Sequence, residues 1–370
     1  MHSGSLNYLC VLMRIALIQK NYSNSPWPYA EWVQQSLQHA AAAKHAAIVQ
    51  VQYAGDVADK PLTGTVLFVI TCPATGKWGR WYWYRFQLPA LVSKIKADKL
   101  VDINGGVSFA IKQPQALLAD AVDGKTNRTT RASMAKASVV FTYSAYAKQA
   151  LEKLYPGYAN KIQVWLPVHA TRPIITEWDV REQRKEKHAE GREYFLATGL
   201  TNLDELLNLL KAFSNFKKWQ KSQMKLLIAG TSDLFTDAFD DKLATYRYRD
   251  DVGILIPESA EQFGEVLSAA YGLVHLPDAD ADIEPLLLAL QYGLPCILPA
   301  GKSLEQLAGN SALTVEELLP ESIGKQLQLL FKDESLRSSL MDKARQQFTN
   351  LQHAGAANPL WVVKKQAGKK

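Results

Sequence analysis

The chain of 370 residues is poor in several things at once. It has three cysteines, Cys10, Cys72 and Cys296, an odd number set far apart. That excludes a disulfide framework and suits a reducing compartment, with three inert thiols as the plainest reading. No apolar run reaches the roughly 18–20 residues that cross a bilayer. The apolar start LNYLCVLM has no Lys or Arg before it and no small-residue cleavage site after it, so a signal peptide is not expected. The seven histidines show neither HExxH nor any paired spacing, so no metal site is expected. No repeat of fixed period occurs. The basic run is confined to the tail KKQAGKK, where Lys364, Lys365, Lys369 and Lys370 supply four of the net +6 charges. Nucleic acid is therefore not an expected partner. The tail itself has two readings, a solvated frayed end or a segment drawn to an anionic membrane surface.

What is present is the make-up of a globular protein, 47% hydrophobic and 21% charged, with the length of two domains rather than one. From Met13, which reads as the natural start with residues 1–12 an extension, short β-branched runs alternate with helical patterns. RIALIQ, AIVQVQYA, VLFVIT, DKLVDIN, QPQALLA, SVVFTYS and KIQVWLP read as strands. YAEWVQQSLQHAAAAKH, WYWYRFQLPALVSKIKA, TTRASMAKA and AYAKQALEKLY read as helices. Residues 167–192, charged and almost without apolar residues after Trp178, break the rhythm and read as a connection with a short helix at 179–189. The alternation then restarts with EYFLATG, a long helix at LDELLNLLKAFSNFKKWQKS, and the strands MKLLIAG, VGILIP, GLVHLP and PCILP. Such alternation with short links predicts mostly parallel sheets covered on both faces, with ligands at the carboxyl ends of the strands.

The second half, EYFLATG…LLIAG…YRYRDDVGIL…AYGLVHLP…ADIEPLLLALQYGLPCILP…LEQLAGNSAL, resembles the donor domain of GT-B glycosyltransferases, specifically the large retaining family 4. WYWYRFQLPALVSKIKADKLVDINGGVSF and MAKASVVFTYSAYAKQALEKLYPGYANKIQVWLP resemble the acceptor domain of its bacterial members. The implied fold class is α/β, GT-B, two Rossmann-like domains facing a cleft. The acceptor-side domain would span 13–166, a linker 167–192, the nucleotide-sugar donor domain 193–345, and a C-terminal helix with the basic tail 346–370. The implied activity is transfer of a hexose from a nucleotide diphosphate sugar to a glycan or lipid-linked acceptor, with retention and without metal or cofactor. The implied location is the cytoplasm, with peripheral contact to the inner membrane surface as a further reading.

The resemblance is weaker at the site. The family places glutamates at two positions that are here Asp280 and Leu288, and leucine accepts no hydrogen bond from a ribose hydroxyl. Glu284 or Asp282 would have to reach in from a neighbouring turn. The family's Arg-Lys pair after the first donor-domain strand is missing: GLTNLDELL, from Gly199, is acidic and holds no cation. Asn202 and backbone amides at the helix start remain as phosphate ligands. The glycine-rich turn after the first strand of the chain is NYSNSPWPYAEW, without glycine. The His-Asp pair of the acceptor side is reduced to Ala119 and Asp120. Carried over residue by residue, Asp280, Glu284 and Glu305 fall near sugar and ribose, Asn202 and Lys302 near the phosphates with Gly199 and Ser303 in the same loops, and Asp120 on the acceptor side. The GKS at 301–303 lacks the P-loop spacing, so an ordinary surface loop is its competing reading. His275, within a buried strand pattern, reads as structural. These departures leave a rival function, a catalytically impaired member serving as a binding or scaffold subunit. A sugar-nucleotide epimerase, which shares the fold, is a third. In WGRWYWYRFQLP the helical stripe Trp81, Tyr84, Leu88 and Leu91 reads as core, with acceptor-sugar stacking and membrane-surface contact as alternatives.

Overall fold

A computed structural model describes residues 14–19, 47–53, 66–70, 77–102, 107–119, 128–166, 168, 177–277 and 282–355. The chain divides into two units, one holding the described residues up to Val168 together with Gly355, the other those from Glu177 to Ala354.

The first unit is built on seven strands: β1 Arg14–Gln19, β2 Ala47–Tyr53, β3 Val66–Ile70, β4 Lys99–Asp102, β5 Gln115–Leu118, β6 Val139–Thr142 and β7 Ile162–Val164. They pair in the order β3-β2-β1-β4-β5-β6-β7, all parallel. β5 and β6 are buried along their length, which is why they read as unbroken apolar runs rather than alternations. The helices are α1 Lys77–Tyr82, α2 Leu88–Lys94, α3 Arg128–Lys136 and α4 Ala145–Leu154. A π turn, Trp83–Gln87, joins α1 to α2. The sequence predicts one plain helix here. The wider turn instead lets Trp83 and Leu88, five residues apart, both enter the core with Val92 and Ile95. The predicted stripe is thus replaced: Trp81 is exposed, and Tyr84 and Leu91 only flank the cluster. The helix expected at YAEWVQQSLQHAAAAKH lies outside the described residues.

The second unit opens with α5 Trp178–Ala189, in the segment read as a connection. Its buried Lys185 meets Glu182 at 2.5 Å and Glu193 at 2.9 Å, and Arg181 reaches Glu193 at 3.1 Å, so the helix is fastened to the residue just before the next strand. The strands are β8 Tyr194–Thr198, β9 Lys225–Ala229, β10 Val252–Leu255, β11 Gly272–His275, β12 Cys296–Pro299 and β13 Ala312–Val315. Their order is β10-β9-β8-β11-β12-β13, again all parallel. The helices are α6 Leu203–Gln220, α7 Asp237–Ala244, α8 Ala260–Ala269, α9 Glu284–Tyr292, α10 Ser303–Ala308, α11 Pro320–Lys332 and α12 Glu334–Gly355. α6 buries Leu206, Leu209, Leu210, Phe213 and Phe216, the i, i+3, i+4 stripe of an amphipathic helix, and packs on α11. α7 and β13 were not expected. β13 is an edge strand only partly buried and carries no long apolar run to announce it.

Candidate functional site

The loops singled out by sequence leave the carboxyl ends of β8, β11 and β12. The winding of the sheet reverses between β8 and β11, and open parallel sheets bind ligands at such a point. Gly199, directly after β8, has φ +82°. A Cβ there would lie 2.7 Å from the Pro277 nitrogen and 3.1 Å from His275 Nδ1. Only a residue without a side chain lets the two strand ends approach this closely.

His275 closes β11 from inside. It is fully buried. Its Nε2 is 2.6 Å from the Asp282 carbonyl and its Nδ1 2.7 Å from Thr198 Oγ1. A carbonyl only accepts, so Nε2 carries the proton and the Thr198 hydroxyl donates to Nδ1. Burial holds the imidazole pKa below its ordinary value, which keeps the ring neutral near pH 7. The Asp282 carboxyl is shifted upward by burial, against the pull of His275. One ring thereby ties the end of β8 to the turn that starts α9.

Each flanking loop is closed by a glutamate of its own helix. In the β8–α6 loop Asn202 caps α6, its Oδ1 accepting from the Glu205 N–H at 3.0 Å, while Glu205 Oε2 accepts from the Thr201 N–H at 2.6 Å. In the β12–α10 loop Glu305 Oε2 accepts from the Gly301 N–H at 2.6 Å. The first is a reciprocal capping arrangement, the second is one-sided because the N-cap residue of α10 makes no side-chain cap bond, and both place a negative charge at a helix start. Lys302, partly buried, is the N-cap residue of α10, and Ser303 is wholly buried. Glu284 opens α9 and is partly buried. Leu288 is completely buried in α9, whose residues 285–291 are buried all round. Asp120 and Asp280 lie outside the described residues.

The structure therefore gathers Gly199, Asn202, Glu284, Lys302, Ser303 and Glu305 on loops and helix starts at one end of one sheet. Sequence reading missed Glu205 and the Thr198–His275 couple. The first had a signal, since Asn202-x-x-Glu205 is a capping-box spacing. The second had none beyond a histidine in a buried strand. Lys302 is the one cation in the stretches 199–205, 275–286 and 300–305, against seven Asp or Glu. Among the described residues no three His, Cys, Asp or Glu side chains gather as a metal site would need.

No protein-family model and no curated protein matches the sequence. Solved structures do. A glycosyltransferase from Rickettsia africae superposes with TM-score 0.72 at 11% identity, over 96% of this chain and 100% of that one. The fold is GT-B. Anabaena HepE in complex with UDP and glucose matches with TM-score 0.66 at 13% identity, over 92% of this chain and 98% of that one. A Listeria monocytogenes protein assigned as a UDP-N-acetylglucosamine 2-epimerase matches with TM-score 0.61 at 12% identity, over 96% of each chain. At such identities the likeness is one of fold, and the GT-B architecture houses more than one chemistry.

Proposed function

We propose that the chain is a glycosyltransferase that moves a hexose from a nucleotide diphosphate sugar to a glycan or lipid-linked acceptor, with retention. The observation that carries this reading is the close approach of the chain at the β8–β11 reversal, where Gly199 has no room for a Cβ and a neutral His275 sets the turn ahead of α9. In the reaction the C1–O bond to the diphosphate breaks, a C1–O bond to the acceptor forms, and the acceptor's hydroxyl proton leaves with the diphosphate. The term that lowers the barrier is stabilisation of charge on the departing oxygens. Lys302 is the side chain for it, the Thr201 and Gly301 amides join it once Glu205 and Glu305 give them up, and Glu284 is the acceptor for the ribose hydroxyls that Leu288 cannot bind. Work in the cytoplasm, with peripheral contact to the inner membrane, suits such an acceptor.

A second reading is favoured by Glu205 and Glu305. These carboxylates already occupy the Thr201 and Gly301 amides, and one lysine faces an acidic surround. A scaffold subunit with a disused donor site would look like this. Calorimetric titration of the folded protein with UDP, GDP and their common sugars separates the two. Micromolar binding of one nucleotide supports the transferase. Absence of binding up to millimolar concentration sinks it and leaves the scaffold.

A further inference from the structure

The sheet of the second unit ends in two edge strands, β13 and β10, and the chain treats them differently. In a parallel ladder alternate residues bond to one neighbour, and the residues between them point their N–H and C=O groups the other way. At β13 the Ala300 N–H donates to the Val315 carbonyl at 2.9 Å, so Leu313 and Val315 serve β12 and Thr314 points outward. The Thr314 carbonyl is closed off by Gln326 Nε2, which donates to it at 3.1 Å. At β10 the Gly230 N–H donates to the Leu255 carbonyl at 3.0 Å, so Gly253 and Leu255 serve β9. Val252, Ile254 and Ile256 therefore point outward. The Val252 N–H is taken by the Arg249 carbonyl of the preceding turn. Among the described residues, no strand and no side chain meets the outward N–H and C=O groups of Ile254 and Ile256.

Edge strands are ordinarily kept from pairing by a charge, a proline or a bulge within the strand. Val252-Gly-Ile-Leu-Ile256 has no charge and no proline, and Pro257 comes only after it. Its register with β9 is unbroken. Ile254 and Ile256, two residues apart and so on one face, are 41% and 47% exposed. The charges at the two ends say what fits. Arg247 and Arg249 precede the strand and are exposed, with Asp250 lying 3.7 Å from Arg249. Asp251 is drawn to Arg192 at 2.7 Å and Lys217 at 2.8 Å. Glu258 and Glu261, both exposed, follow the strand. One end is thus net positive and the other negative. A parallel neighbour of the same sequence would set like charge on like. An antiparallel one sets arginines against glutamates at both ends, as a two-fold axis requires.

We propose that β10 pairs antiparallel with β10 of a second copy of this chain, joining two six-stranded sheets across a two-fold axis. Centred on Ile254, the pairing lets the two Ile254 residues exchange N–H···O bonds, and each Ile256 N–H reaches the Val252 carbonyl of the second copy. Ile254 then meets Ile254, and Ile256 meets Val252, on one face of the joined sheet. A contact this short belongs with the weak, concentration-dependent associations. It uses the edge of the sheet rather than the donor loops, so it goes beyond the transferase reading and does not rest on it.

The test is sedimentation velocity of the full chain, without ligand, from about 1 to about 200 μM. The expected result is a monomer–dimer equilibrium within that range. Ile254→Lys and Ile256→Lys, each putting a guarding charge at an exposed position, should weaken it at least about tenfold at unchanged melting temperature. Arg249→Glu should weaken it too, and adding Glu258→Arg to the same chain should restore it. The direction of pairing has its own readout. Residues of a bonded antiparallel pair have Cα atoms about 5.5 Å apart, within reach of a disulfide. Ile254→Cys, in a chain carrying Cys10→Ser and Cys72→Ser, should therefore give a covalently linked dimer under mild oxidation, and Glu258→Cys in the same chain should not. Three outcomes overturn the proposal. One is a monomer at every concentration. A second is a dimer that both lysine variants retain, which places the contact elsewhere. The last is a dimer that they lose but in which Ile254→Cys links no better than Glu258→Cys, which denies the antiparallel register.

Discussion

Replacing Gly199 by alanine tests whether the β8–β11 junction is as tight as the geometry says, and a second glycine supplies the control. Gly199 and Gly301 both hold a left-handed conformation, φ +82° and +75°. An alanine at either pays the backbone strain of about 1–2 kcal/mol. They differ in surroundings. At Gly301 no atom lies within 4 Å of a Cβ, whereas at Gly199 the Pro277 nitrogen would be at 2.7 Å, its Cδ at 3.0 Å and His275 Nδ1 at 3.1 Å. The nitrogen is backbone and cannot swing aside. His275 is held at both ring nitrogens. Relief needs movement of β11 against β8 or loss of the imidazole hydrogen bonds, which adds about 1–3 kcal/mol. Gly199→Ala is expected to cost about 2–5 kcal/mol and Gly301→Ala about 1–2. For a domain of this size each kcal/mol shifts Tm by about 2–4 °C. Calorimetric or dichroism melting should show Gly199→Ala falling by roughly 4–20 °C, more than Gly301→Ala. Equal shifts in the two variants would refute the reasoning, because strain alone would then account for both.

His275 gives a pH signature. Its folded pKa is lowered by burial, so its contribution is present above about pH 6.5 and is lost as pH falls through the folded value. Urea unfolding at pH 7.5 and 5.5 should show the wild type losing up to about 1.4 kcal/mol more than His275→Gln. Asp282, raised by burial, acts in the opposite sense, stabilising below about pH 3.8 and losing that effect as pH rises, so the comparison is between proteins rather than along one curve. An identical pH dependence in both would argue against the neutral ring. The capping glutamates make the third case. Glu205→Ala should cost about 1 kcal/mol of stability through loss of the Thr201 N–H acceptor. If the loops hold a diphosphate, Glu205→Ala with Glu305→Ala should also tighten UDP several-fold in the titration by removing two carboxylates from its path. Weaker UDP binding in that double variant would show that the carboxylates serve the ligand instead.

Much of the fold was legible because its determinants are local. Strands buried on both faces must be continuous apolar runs, and EYFLATG, MKLLIAG and PCILP could be little else. The Asn202 cap of α6 and the Gly293-Leu-Pro295 stop of α9 are likewise short-range chemistry, and the φ of +66° at Gly293 is the αL cap that such a stop uses. The short helix at 179–189 was visible, but not its attachment ahead of β8, which depends on Lys185 finding Glu193 in space.

At the site the division is sharper. The order of residues was enough to bring Gly199, Asn202, Glu284, Lys302 and Glu305 to one end of one sheet, since a parallel α/β sheet puts every such loop on the same side. Their partners are a tertiary matter. Whether Glu305 faces a ligand or its own Gly301 amide, whether His275 is exposed or locked between Thr198 and Asp282, and whether Trp81 enters the core all depend on distances that no periodicity encodes. The π turn shows this most plainly. By sequence the stripe of Trp81, Tyr84, Leu88 and Leu91 was the apolar face. One widened turn of backbone exchanged that set for Trp83, Leu88 and Val92 and left three rings in water. Residue types and their spacing determined the alternating architecture and the end of the sheet at which a ligand would bind. Packing decided which side of each helix is inside, because burial of one large ring can outweigh the small cost of a wider turn.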